Sequence, residues 1–123
     1  MLVNIKRLLE LLQHENPNVR NQSIKALETF YKGSSGIISH IIRAIDKYPG
    51  DSLSLVARIS LFIPNDDEIS ELIRLFNETD PDRDDQSMNR FFHIQQSLLH
   101  FPIQILISNE KIIRFNKDLS HSL

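Results

Sequence analysis

The chain has 123 residues, 41% hydrophobic and 24% charged, which suits one globular domain able to remove roughly two-thirds of its unfolded surface from water. A formal charge of −2 gives no general pull towards nucleic acid or anionic lipid, and the lack of cysteine excludes disulfides, thiolate metal sites and cysteine nucleophiles while suiting a cytoplasmic location. No apolar run approaches the ~20 residues that cross a bilayer, and Lys6, Arg7 and Glu10 interrupt the apolar N-terminus, so neither a membrane span nor a signal peptide is expected.

Ile5, Leu8, Leu9 and Leu12 fall on one helical stripe and predict a first helix near 3–14. Ile24, Leu27, Phe30 and Tyr31 predict a second near 17–32. Pro17 suits its first turn, where the missing N–H costs nothing, and Asn16 suits its N-cap. Gly33 and Gly36 then break the chain before helices near 36–48 and 51–63. Asn65 followed by Glu68 is a capping-box-like start for a fifth helix near 66–78, with Asp66 and Asp67 complementing its dipole. A sixth is expected near 85–101, with Asp80 before Pro81 as a good capping residue.

These elements repeat. Pro17, Pro49 and Pro81 stand 32 residues apart, and five apolar columns keep the same step without a gap. The columns are Ile5, Ile37, Ile69; Leu9, Ile41, Ile73; Ile24, Val56, Met88; Leu27, Ile59, Phe91; and Phe30, Phe62, Ile94. Short connections make successive helices antiparallel, and one hairpin cannot bury its own stripe. The expected fold is therefore all-α: an α-solenoid-like stack of about three antiparallel hairpins.

Leu8-Leu9-Glu10-Leu11-Leu12, Asn16-Pro17-Asn18-Val19-Arg20 and Ala26-Leu27 together resemble a HEAT repeat of the short bacterial kind. The resemblance covers about residues 1–101 and is strongest in the first unit. The later units carry Asp51-Ser52 and Arg83-Asp84 where the first has Val19-Arg20. A tetratricopeptide array has a similar period, but its Trp and Gly-Tyr markers are missing. The domain is expected to span 1–115, as repeats 1–32, 33–64 and 65–101 and a C-terminal capping segment, 102–115. The capping segment would cover Phe91 and Ile94, or else pair with residues of a longer array; 116–123 reads as a frayed tail.

The motifs that invite chemistry have plainer readings. Asp80, Asp82 and Asp84 alternate as in a calcium loop, but Asp85 and Phe91 stand where that loop needs Gly and Glu. His93 and His100 are about 10 Å apart along one helix, too far to share a metal. His14 suits a helix C-terminus. His40 shares a column with Leu8 and Leu72, which predicts a half-buried ring. Ser34, Ser35 and Ser39 lie near His40 without forming a triad. No catalytic residue, metal or cofactor is therefore assigned, and the chain is not expected to be an enzyme.

The free columns of the second helices define a candidate partner-binding face: Gln22, Lys25, Thr29, Ser54, Arg58, Leu61, Asn89, Arg90 and His93. Leu61 and Phe92 would mark docking if exposed. The HEAT resemblance implies that such rows grip a protein segment. It also admits a nucleic-acid module like the HEAT-like alkylation-repair glycosylases, with Arg20, Lys25, Arg58 and Arg90 on phosphates. Net negative charge, no Trp and two Tyr argue against that alternative. A third reading is a structural domain of a longer polypeptide or a homo-oligomer.

Overall fold

The computed structural model describes residues 4–100, and every regular element among them is helical. In chain order these are α1 (Ile5–Leu11), α2 (Pro17–Tyr31), α3 (Ile38–Lys47), α4 (Leu53–Val56), α5 (Asp66–Glu78) and α6 (Asp85–His100). Two 3-10 turns, Pro49–Asp51 and Ile59–Leu61, flank α4. The expected capping segment, 102–115, and the tail, 116–123, lie outside the described residues.

Capping residues set most of the helix starts. Asn4 accepts from the Lys6 backbone N–H at 3.0 Å and Asn16 from that of Asn18 at 2.9 Å. Each thereby satisfies a donor that its helix cannot. At α5 the expected reciprocal box is complete, with Asn65 Oδ1 accepting from the Glu68 N–H at 2.8 Å and Glu68 Oε1 from the Asn65 N–H at 2.9 Å. Glu68 does more than sequence reading assigned to it. Its other oxygen accepts from the Ser39 N–H of α3 at 2.6 Å, so one buried carboxylate serves two helix N-termini.

The expected fourth helix, 51–63, is instead broken into three short turns. The Ser54 carbonyl, which a continuous helix would offer to the Arg58 N–H, accepts from the Arg58 guanidinium at 2.9 Å. The Arg58 N–H turns to Leu55 O, one residue nearer, which tightens the chain into a 3-10 turn. Ser52 Oγ also bonds back to Pro49 O, the local competition by which serine weakens helices. Pro64 then keeps Ile63 out of the helical region.

The proline column is only partly equivalent. Pro17 opens α2 and Pro49 opens a 3-10 turn, but Pro81 lies in a turn before α6. Asp80 accepts there from the Asp82 N–H, while Asp84 accepts from Ser87 at 2.7 Å and supplies the cap expected of Asp80.

Helix pairs follow the repeat: α1 packs on α2, α3 on α4 and α5 on α6. Across units, α3 packs on α5, α2 on α4, and α4 on α6. The connections pair too, with Gly33 N–H donating to Leu61 O at 2.8 Å and Ile63 N–H to Ser34 O at 3.1 Å. Gly33 does this at φ +82°, where an L side chain would be strained.

The core holds Ile24, Leu27, Ile37, Ile41, Val56, Ile59, Ile69, Ile73, Phe62 and Ile94, all from the five columns. Ile5 and Leu9 pack half-buried against it. Phe30 departs from its column: it is 59% exposed, whereas Phe62 is 2% and Ile94 0% exposed. On α2 the inward stripe is Arg20, Ile24, Leu27 and Tyr31, about 100° from Phe30. Phe62 instead follows the broken fourth element and turns inward from extended backbone.

Candidate binding face

The nine face residues lie on α2, on α4 and the turn that follows it, and on α6, and the structure divides them in two. Gln22, Lys25 and Thr29 on α2, and Asn89 and His93 on α6, are exposed. Ser54, Arg58, Leu61 and Arg90 are half-buried, and Arg58 and Arg90 reach the unit before their own. Arg58 Nε donates to Glu28 Oε2 at 2.9 Å, tying the fourth element to α2, and its NH1 donates to Ser54 Oγ at 2.9 Å. Arg90 NH1 donates to the Pro49 carbonyl at 3.2 Å, and Gln86 Nε2 donates to Gly50 O beside it. Leu61 packs against the core, so it is not the exposed docking residue its column allows. Phe92, next to the face, is 51% exposed and meets Phe91 edge-on with ring centres 6.1 Å apart.

Arg20 is not on this face. It is 1% exposed, so the phosphate contact considered for it from sequence is sterically closed. Its NH1 donates to the carbonyls of His14 and Glu15 at 2.8 and 3.0 Å, and its guanidinium stacks on Tyr48. Of the four cations weighed for phosphate, Lys25 alone has an exposed side chain.

The opposite face, formed by the first helices, is charged. Arg74 bridges Asp46, Glu71 and Glu78 at 2.7, 2.8 and 2.9 Å. The Asp46 hydrogen bond chiefly holds its pKa above the ordinary arginine value. Between α1 and α3 lies an open groove of about 440 Å³, floored by Ile5 and Leu9 and rimmed by Lys6, Glu10, His40 and Arg43. His40 is half-buried there, as its column predicts, and its pKa is lowered by burial and then by Arg43, with Glu68 opposing.

The acidic turn behaves as a helix entry. The Ser87 N–H holds the Asp84 carboxyl below its ordinary pKa. Among the described residues no group of three or more His, Cys, Asp or Glu side chains is placed to hold a metal ion. No described helix is long and apolar enough to cross a membrane. Ser39, near His40, offers its backbone N–H to Glu68.

No family model matches the chain, and neither a curated protein nor a solved structure matches it.

Proposed function

We propose that this chain is a HEAT-like stack of three helical hairpins that works as a non-catalytic protein-binding scaffold. The single observation carrying the reading is the packing order: second helix lies on second helix, α2 on α4 and α4 on α6, in step with the 32-residue repeat. A row built this way presents the same column of each unit along one surface, which suits an extended peptide segment. The exposed part of that surface, Gln22, Lys25, Thr29, Asn89 and His93, is polar and close to neutral. Such a surface favours hydrogen bonding to a partner backbone over the counterion release that drives nucleic-acid binding.

Crosslinking capture with the full chain tests the reading. Partners held by the native chain are lost from a Lys25→Glu/His93→Glu variant and kept by Lys6→Glu on the opposite face. Equal capture by all three, or a DNA mobility shift that fades steeply with salt, overturns it.

A further inference from the structure

Among the described residues four large apolar side chains are exposed, and three lie at the two ends of the row of second helices: Phe30 at 59%, Phe92 at 51% and Leu99 at 46%. The internal joints define which side of each helix meets which neighbour. On α2, Glu28 reaches forward to Arg58. At 3.6 residues per turn, Val19, Ala26 and Phe30 lie about 160–180° round the helix from Glu28. On α6, Arg90 reaches back to Pro49, and Phe92 and Leu99 lie about 160–180° round from Arg90. Phe30 is thus on the side where a preceding unit would stand, and Phe92 and Leu99 on the side where a following unit would stand.

The repeat register gives the same answer independently. Arg58 and Arg90 reach back to the unit before them, and their column holds Ala26 in the first unit. No long side chain projects from that position of α2, and further towards the start of the helix, on the side marked by Val19, an apolar groove of about 280 Å³ opens between α1 and α2, with Leu8 and Leu11 also in its lining.

We propose that the two ends are complementary, and that copies of this chain stack head to tail, Phe92 and Leu99 of one copy covering the Val19–Phe30 side of α2 of the next. The inference rests on the stacked-hairpin reading above. A second copy is the occupant because one chain supplies both halves of the contact, an apolar knob of Phe92 and Leu99 at one end and an apolar groove lined by Leu8, Leu11 and Val19 at the other. The contact also continues the joints within the chain, second helix on second helix. None of the five residues in the two stripes is charged, so their burial leaves no unpaired ion from either stripe. A head-to-tail contact of this kind is heterologous, so it leaves a free end on each dimer and grows by addition into a ring or a filament.

Sedimentation velocity of the full chain, from low micromolar to submillimolar concentration, tests the proposal. The native chain forms dimers and longer species as concentration rises. Phe30→Glu and Phe92→Glu each stay monomeric alone, whereas their equimolar mixture forms a dimer and nothing larger, since one intact pairing remains. A native chain that is monomeric throughout overturns the proposal. So does a mixture that fails to pair, the behaviour of a two-fold contact. Both positions are exposed, so melting temperatures stay within a few degrees of native; a large drop for Phe92→Glu beside a monomeric native chain means that residues beyond 100 cover α6, and also overturns it. Failure of the stacked-hairpin reading itself appears separately, in the helix–helix contact pattern of the monomer.

Discussion

The guanidinium of Arg20 lies 3.9 Å from the centre of the Tyr48 ring, and the Tyr48 hydroxyl donates to the Gln13 carbonyl at 3.2 Å. The first turn of α2, the end of α1 and the end of α3 therefore meet around one buried cation. The His14 and Glu15 carbonyls accept from its NH1, and Asp51 stands 3.9 Å from its NH2. Arg20→Ala strands two carbonyls and removes the cation–π contact, at a cost of about 2–4 kcal/mol. Urea unfolding measures this. In a double-mutant cycle Arg20→Ala and Tyr48→Ala are non-additive by about 1–2 kcal/mol. Full additivity would show that the stack between them contributes nothing.

Glu68 joins the N-termini of α3 and α5, one carboxylate oxygen accepting from each. Glu68→Ala leaves the Ser39 and Asn65 N–H groups unpaired and costs about 2–4 kcal/mol. Glu68→Gln keeps one acceptor oxygen and costs about 1–2 kcal/mol. Amide exchange at Ser39 and Asn65 speeds up together in Glu68→Ala. Acceleration at Asn65 alone would mean that the bond to α3 is not made in solution.

Phe30 and Phe62 share a repeat column but not an environment. Phe62→Ala empties a core site and costs about 3–5 kcal/mol, while Phe30→Ala changes monomer stability by less than about 0.5 kcal/mol. Thermal unfolding at low protein concentration compares them. Equal losses would contradict the exposure of Phe30.

His40 makes stability depend on pH. Its folded pKa is lowered from the ordinary 6.5, so as pH falls the unfolded chain takes up the proton first. The contribution is complete above about 6.5, is lost as pH falls towards the folded value, and is flat below it. Arg43 on the same helix lowers this pKa and Glu68 from α5 raises it, while Lys6 and Glu10 of α1 also rim the groove. His40→Leu, the residue its column carries at 8 and 72, flattens urea midpoints across this window. An unchanged slope in the variant would place the pH dependence elsewhere.

Much of the fold was legible because periodicity reports burial directly. The positions of α2, α3, α5 and α6, the Asn65–Glu68 box and the half-buried His40 all follow from local spacing. The break in the fourth element was not legible, because it depends on which donor the Ser54 carbonyl accepts, and the Arg58 side chain decides that. The buried Arg20 was missed because an arginine enters a core only when carbonyls and an aromatic ring converge on it, and Tyr48 arrives from the next unit. Exposure at the face followed the column rule on α2. It failed at Ser54, Arg58, Leu61 and Arg90, because side chains at a joint reach sideways and the column rule assumes that they point outward.

Solution NMR on the full chain, kept dilute, tests the stacking most directly. Nuclear Overhauser contacts are expected between α2 and α4 and, in greater number, between α4 and α6, with α2 and α6 kept apart by α4 and a backbone bridge between Ser35 and Ile63. Dense contacts between α2 and α6, with α4 displaced from between them, would contradict the account.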